Sequence, residues 1–325
     1  MHGGQRIILR AVVYRQMNTP YLAVVIAAVS WAADPLQLEV HRTRAEALLA
    51  KMDFREALAE AQALNHASPD DVSGYRLMAA AQLELGDYDD AEKQLQWMLD
   101  LRIGKADAQG WLLVARFREV TGDVEGALDA LNLAYPRLVP TDERGQQSLN
   151  DCAARLLYRA GKLDQAEQII QRAGANPTPP LLETLARIRL AQGKREEAIE
   201  LLRRLAKRDP HPRYLYLLAQ TSGAAADYEA FETAALSATE SPDNANQELA
   251  LYYSGPGKQP AKALEIARRE ALRRRDVFTL DSLAVALFAN RQTSEARSTM
   301  LGVLGVGTQD PSILAHAVEI GVRHP

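Results

Sequence analysis

A pattern of glycine, polar residues and alanine recurs along most of this chain and constrains its fold more than any other feature. The segments KMDFREAL, LGDYDDAE, TGDVEGAL, AGKLDQAE and QGKREEAI share it, with their alanines at Ala57, Ala91, Ala127, Ala166 and Ala198. Ala263 and Ala296 continue the series. Successive alanines of the five segments are 32 to 39 residues apart, a period typical of stacked two-helix units.

Glycine and proline mark where the helices of each unit end. Four glycines stand between the two helical stretches of a unit: Gly86, Gly122, Gly161 and Gly193. A glycine at this point accepts the left-handed conformation that closes a helix. Pro69 and Pro210 follow second stretches, where a residue that cannot continue a helix is favoured. The alanine of each segment has no bulk, so the two helices of a unit can approach closely.

Three units carry the residue pattern of a known repeat. The second has Tyr75, Met78, Ala79, Gly86, Tyr88 and Ala91, the third has Trp111, Val114, Ala115, Gly122 and Ala127, and the fifth has Leu182, Leu185, Ala186, Gly193, Ala198 and Pro210. Over residues 38–311 the chain therefore resembles the tetratricopeptide repeat family. The resemblance implies an all-α fold, a right-handed αα-solenoid of stacked antiparallel helix pairs with a groove on its concave side.

We expect residues 34–325 to form a single solenoid of about seven to eight helix pairs followed by a single C-terminal helix, since one pair cannot bury its apolar face alone. Three units depart from the pattern. In the first, His41 and Arg44 stand where large apolar residues are expected. In the sixth, Phe231 replaces the small residue. In the seventh, an unusual turn, SGPGKQP, separates the two helices.

Residues 1–33 differ from everything after them. Their charged side chains are Arg6, Arg10 and Arg15, followed by a short apolar run at 21–29 (YLAVVIAAV) and by small residues at Ser30, Ala32 and Ala33. This order predicts a cleaved secretory signal peptide and export to the periplasm or the exterior. The alternatives are a leader helix packed on the first repeat in a cytoplasmic protein, or a true start at Met17. The apolar run is short for a transmembrane span.

Charge argues against two classes of partner. The formal net charge is −4 and the isoelectric point is about 5.9, so no bulk positive field draws the chain to nucleic acid or to an anionic membrane. Two basic clusters keep nucleic-acid binding as an alternative: Arg203, Arg204, Lys207 and Arg208, and then Arg268, Arg269, Arg273, Arg274 and Arg275. Both fall on second helices, which face outward in such repeats.

The residues give no sign of catalytic chemistry. The single cysteine, Cys152, excludes an internal disulfide and a cysteine-based zinc site. The six histidines show no metal-binding spacing. We therefore expect no enzyme activity, no catalytic residue, no metal and no cofactor, with an accessory role beside an enzyme on another chain as an alternative.

The strongest functional signal is a row of arginines on the predicted inner wall. The resemblance places these residues in a partner-binding groove: Arg76, Gln109, Leu112, Arg116, Arg155, Tyr158, Arg159, Arg187, Arg213 and Tyr216. Guanidinium groups make bidentate, charge-assisted hydrogen bonds to carboxylates. We expect a protein-protein interaction scaffold or adaptor that binds a peptide or protein segment, preferably acidic. The open alternative is that these arginines pair with Asp151, Glu119 and Glu183 of adjacent helices.

Overall fold

A computed structural model describes residues 34–101, 107–174, 176–241 and 244–323. The leader predicted at residues 1–33 lies outside this part of the chain. The helices there are α1 Pro35–Ala50, α2 Phe54–Ala67, α3 Val72–Leu85, α4 Tyr88–Leu101, α5 Ala108–Val120, α6 Val124–Ala134, α7 Glu143–Arg159, α8 Leu163–Arg172, α9 Pro179–Ala191, α10 Arg195–Arg208, α11 Pro212–Ser222, α12 Ala225–Ser237, α13 Gln247–Ser254, α14 Pro260–Arg273, α15 Val277–Ala289, α16 Thr293–Gly305 and α17 Pro311–Ile320.

These helices form consecutive antiparallel pairs, from α1 with α2 to α15 with α16, and we number the pairs as repeats one to eight. The described residues contain no strand. The all-α solenoid expected from the resemblance is confirmed. In repeat one, α1 begins at Pro35, and His41 hydrogen-bonds Glu60 at 2.6 Å in place of an apolar contact.

Local sequence explains where the helices begin and end. Aspartate side chains accept backbone N–H groups at the starts of several first helices, among them Asp71, Asp107 and Asp142. The glycine between the two helices of a repeat adopts positive φ, as at Gly86 with φ +80°. Where the sequence lacks that glycine, another residue takes the left-handed conformation: Arg291 has φ 62°. The backbone turn is thus kept even where an L side chain strains it.

Alanines let the paired helices approach each other. The signature alanines are 0 or 1% exposed: Ala57, Ala91, Ala127, Ala166, Ala198, Ala263 and Ala296. Repeat six differs because Phe231, aligned with Ala91 through the preceding Asp-Tyr pair, is itself fully buried. Its ring lies 4.8 Å from the ring of Tyr216. The larger side chain therefore sits in an aromatic cluster rather than at a close helix crossing.

The stack curves with its first helices on the inside. First helices of neighbouring repeats contact one another along most of the described chain, as α1 does α3, and α13 does α15. Second helices of neighbouring repeats make no comparable contacts in the described residues. Repeats are therefore closer together along the first helices, and these helices form the inner wall.

Candidate functional site

The predicted arginines lie on consecutive first helices of this inner wall. Arg76, Arg116, Arg155, Arg187 and Arg213 belong to α3, α5, α7, α9 and α11. Four of the side chains are 40 to 52% exposed, the exception being Arg76 at 19%. The structure therefore brings the predicted stripe together as one surface, which we call the arginine wall: these five residues with Arg159 of α7.

Three ion pairs of the arginine wall each join one repeat to the next. Arg76 pairs with Glu46 at 3.2 Å and Arg116 pairs with Glu84. Further along, Arg155 makes a bidentate contact with Glu119 at 2.9 and 2.8 Å. The two partners are 30 to 36 residues apart in the chain, which is one repeat. These ion pairs connect first helices of successive repeats.

Two glutamates each bind two arginines. Glu119 accepts from Arg155 and also from Arg159 at 3.1 Å. Glu183 lies 2.9 Å from Arg187 of its own helix and 3.0 Å from Arg213 of the next repeat. The glutamate side chains are only 6 and 5% exposed. Arg159 also lies 3.7 Å from the carboxylate of Asp310, so the positive charge left without a carboxylate of its own is the one at Glu183.

The charge state of these glutamates follows from their surroundings. Burial alone would raise the pKa of Glu119, but the hydrogen bond and charge of Arg155, with the charge of Arg159, bring it below its ordinary value. Burial is likewise outweighed at Glu183, whose pKa is lowered by the charges of Arg213 and Arg187. Both carboxylates are therefore ionised at neutral pH.

The other predicted groove residues have different surroundings. Leu112 packs on the apolar cluster of repeats two to four, and Tyr158 packs on that of repeats four and five. Tyr216 is held in the aromatic cluster, where burial raises the pKa of its hydroxyl to about 12. Gln109 is exposed at the start of α5. The structure thus gathers the arginines into one surface and gives the three apolar or aromatic residues packing contacts.

The structure shows the alternative arrangement, in which the arginines pair with acidic residues of adjacent helices. Glu119 and Glu183 do neutralise arginines of adjacent helices, while Asp151 hydrogen-bonds Thr178 instead. Glu46 and Glu84 complete the pattern and were missed. Their signal was in the sequence, because each stands about one repeat before the arginine that it binds, at positions on the same face of consecutive first helices.

The two basic clusters differ in how far their side chains are exposed. Arg203, Arg204 and Lys207 are exposed on α10, and we find no hydrogen-bond or ion-pair partner for them in the described residues. The prediction that Arg274 lies on an outer helix face is wrong. α14 ends at Arg273, and Arg274 is 9% exposed in the loop that follows.

A metal cluster, a membrane-spanning helix or a reactive thiol would each point to another function. No cluster of three histidine, cysteine or acidic residues there is arranged to hold a metal ion. None of the helices there combines the length and the apolar character that crossing a membrane requires. Burial raises the pKa of the Cys152 thiol to about 11, so this side chain is protonated at neutral pH.

Comparisons with known proteins identify the repeats. Two tetratricopeptide repeat models match the chain, one over residues 76–143 and the other over residues 175–221. The resemblance seen in the sequence is thereby confirmed, and the chain carries tetratricopeptide repeats. Proteins built from such repeats generally bind other proteins and act as non-catalytic scaffolds. No curated protein sequence matches the chain.

The chain is also similar to solved structures. The chain is similar to a human IFIT1 dimer with PPP-AAAA at 14% identity, covering 84% of this chain and 73% of that one, with a TM-score of 0.53. It is also similar to PilW, a type IV pilus biogenesis factor, at 18% identity over 67% of this chain and 100% of that one, with a TM-score of 0.49. The APC/C hetero-tetramer Cut9-Hcn1 matches at 16% identity over 85% and 54%, with a TM-score of 0.48. Of these likenesses, the one with a TM-score of 0.53 supports the fold, and its identity of 14% supports nothing beyond the fold.

Proposed function

We propose that this protein is a protein-interaction scaffold whose arginine wall, in repeats three to five, binds an acidic segment of a partner. The observation that carries the proposal is the surplus of arginine over glutamate on this wall. Glu183 needs one arginine for neutrality and has two, whereas the second arginine at Glu119 is also met by the carboxylate of Asp310. The excess positive charge lies on side chains that solvent reaches.

The pairing within the wall also prepares it for a ligand. Arg155 is fixed by two hydrogen bonds to a buried carboxylate, so its guanidinium is already oriented when a partner arrives. Its remaining N–H donors and its exposed edge stay available, since a guanidinium has five donors. Carboxylates of an extended segment would meet such groups at intervals of about one repeat.

A matched pair of variants tests the proposal. Arg155→Gln with Arg187→Gln removes one arginine from each glutamate and leaves Arg159 on Glu119 and Arg213 on Glu183. The control, Arg203→Gln with Arg204→Gln, makes the same charge change on the outer surface. Circular dichroism should show equal helicity in both variants, because no buried glutamate loses its last partner.

The probe is a fluorescent oligoglutamate peptide of roughly ten residues, which spans about 33 Å when extended, with an oligoglutamine peptide of equal length for comparison. By fluorescence anisotropy we expect the wild type to bind the oligoglutamate only. Loss of two charge-assisted contacts should weaken binding by at least about tenfold, or about 1.4 kcal/mol. The outer-surface control should bind like the wild type. Equal affinity in the wild type and the inner-wall variant would contradict the proposal.

The outer cluster supports a second candidate, binding of nucleic acid. Arg203, Arg204 and Lys207 are exposed on one helix and have no partner in the described residues. Binding to single-stranded RNA or DNA that weakens steeply with added salt, and that the control variant abolishes, would favour it.

We also propose that residues 1–33 direct export. Their basic start, short apolar run and small residues support this. N-terminal sequencing of the protein from its native cell tests it, since cleavage near Ala32 or Ala33 is expected and an intact N-terminus in the cytoplasm would contradict it.

A further inference from the structure

Two loops of the C-terminal repeats lie against the N-terminal repeats. The first closing loop is residues 274–276, between α14 and α15, and the second closing loop is residues 306–310, between α16 and α17. The two surfaces that meet are far apart in the chain: Val277 and Tyr88 are 189 residues apart and share a hydrogen bond. The solenoid therefore completes a turn and contacts itself.

The first closing loop and the first residue of α15 donate backbone N–H groups to acceptors in repeat two. The Arg275 N–H donates to the Glu84 carbonyl oxygen at 2.9 Å. The Val277 N–H donates to the Tyr88 hydroxyl at 3.0 Å. A Cβ atom added to Gly86 would lie within 3.0 Å of the Arg275 carbonyl oxygen, a distance that real contacts do not reach. The fit is therefore backbone against backbone.

Arg274 extends the same contact to repeat one. Its guanidinium lies 3.6 Å from the Glu84 carboxylate, the group that also binds Arg116 of the wall. One nitrogen is 3.0 Å from the Met52 sulfur, and the guanidinium stands 5.0 Å from the centre of the Phe54 ring. A buried arginine with these partners fixes the loop against the end of the inner wall.

The second closing loop makes the equivalent contact one repeat further on. A Cβ atom at Gly122 would lie within 3.0 Å of the Gly307 carbonyl oxygen, and one at Gly307 would lie 2.8 Å from the Thr121 carbonyl oxygen. The carboxylate of Asp310 is 3.7 Å from the guanidinium of Arg159. The second closing loop comes one repeat after the first in the chain, and it contacts the repeat that follows the one contacted by the first.

The second closing loop places the carboxylate of Asp310 on the arginine wall, and the first closing loop brings Asp276 near it. Asp310 forms an ion pair with Arg159, and the charge of Asp276 acts on Arg116. An acidic ligand would seek the same guanidinium groups. We propose that the two closing loops are an internal competitor of the acidic ligand, so that ligand binding and closure of the solenoid oppose each other. This inference rests on the proposed function of the arginine wall.

The chain offers a matched set of variants that open the contact. Gly86→Ala with Gly122→Ala places methyl groups against the closing loops. Gly161→Ala with Gly193→Ala imposes the same left-handed strain, at φ +72° and +73°, where nothing lies within 4 Å. None of these glycines belongs to the arginine wall. Comparing the two double variants therefore isolates the effect of opening from the cost of the backbone conformation.

A second pair of variants tests the same proposal with smaller changes to the backbone than the glycine substitutions make. Asp276→Asn with Asp310→Asn removes the competing charges and keeps the caps of α15 and α17, because asparagine caps helices as well as aspartate does. The control is Asp107→Asn with Asp142→Asn, which changes two caps of the same kind on α5 and α7. Neither control residue touches a closing loop.

Hydrogen exchange in the full chain reports closure directly, since the Arg275 and Val277 amides find their hydrogen-bond acceptors in repeat two. We expect fast exchange at these amides in the glycine variant that opens the contact, and slow exchange in its control. Both the opening variant and the charge-removing variant should bind the oligoglutamate probe at least about fivefold more tightly than their controls. Saturating probe should also speed exchange at these amides in the wild type, because coupling between two sites is reciprocal.

Each other outcome counts against the inference. Fast exchange of both amides in the unliganded wild type would show that no closed state exists. Fast exchange in the opening variant with unchanged affinity would show that closure does not regulate the wall, while the proposed function stood. Protected amides with no probe binding in any variant would remove the proposed function and the competition with it, and would leave closure as a structural contact only.

Discussion

Repeats two to five and the region where repeat six meets repeat seven are packed with different side chains. In the former, alanine lies at the crossing of each helix pair and glutamate-arginine pairs join consecutive first helices. In the latter, rings of Tyr216, Phe231, Tyr252 and Tyr253 pack 4.8 to 6.5 Å apart. The difference teaches that repeat six keeps the repeat geometry without the signature alanine, because buried aromatic side chains fill the space between its helices.

The family models match no residue from α12 onward. The matched segments, residues 76–143 and 175–221, both end before α12 begins at Ala225. From there on the buried polar groups also change. Asn246 donates to Glu270 at 2.9 Å, in a network that repeats two to five do not contain among their described residues. The aromatic region therefore combines ring packing with a buried polar network.

The largest effect is expected from removing the aromatic side chain at the centre of the second region. Phe231→Ala leaves a cavity where a fully buried ring stood, and we expect it to lower the free energy of unfolding by about 3 to 5 kcal/mol. Urea denaturation measures it. Leu236→Ala on the same helix is the control, since Leu236 is 43% exposed and its loss should cost at most roughly 0.5 kcal/mol. A small effect at Phe231 would mean that the region does not depend on aromatic volume.

The reverse change in the first region should have a smaller effect. Ala127→Leu forces a larger side chain into a crossing where the alanine is 0% exposed, and we expect a loss of about 1 to 3 kcal/mol. Ala59→Leu, at an exposed position of another second helix, is the control. Thermal unfolding of both variants checks this. An unchanged melting temperature for Ala127→Leu would show that the helices of repeat three are not in close contact there.

The smallest effect concerns pH and distinguishes the C-terminal region. His316 of α17 binds the buried Asp281 of α15 at 2.9 Å. Burial would lower the pKa of His316, but the hydrogen bond and charge of Asp281, with the charges of Glu319 and Asp310, raise it. Burial raises the pKa of Asp281. The folded state therefore holds its protons more tightly than the unfolded state at both groups.

The direction of the pH dependence of stability follows from these raised pKa values. The contribution of His316 is complete below its ordinary pKa near 6.5 and is lost as pH rises through the raised value. We expect the free energy of unfolding of the wild type to fall between pH 6 and pH 9, and that of Asp281→Asn with His316→Gln to fall less. Urea titrations at both pH values measure this. Equal slopes would show that the pair does not contribute.

Much of the fold could be predicted because its determinants are local. The glycine between paired helices, the small residue after it and the 32 to 39 residue period each reflect a backbone requirement that recurs in every unit. Phe231 was correctly singled out as a departure, but the aromatic cluster that accommodates it depends on Tyr252 from the next repeat. No local pattern links two residues so placed.

The candidate site could be predicted in part. The position of the arginines followed from the repeat register, whereas Glu46 and Glu84 were missed because their role appears only when consecutive repeats are superposed. The closing loops were missed for a different reason. Arg274 belongs to a basic run that is typical of a solvated helix face, and only the curvature accumulated over six repeats brings it to Glu84.

The most direct test of the central claim is a crystal structure of the protein with the oligoglutamate peptide bound. We expect glutamate carboxylates of the peptide within hydrogen-bond distance of Arg155 and of Arg187 or Arg213, along the first helices of repeats three to five. A peptide bound instead at Arg203 and Arg204 on the outer surface, with the arginine wall free of peptide, would contradict the account.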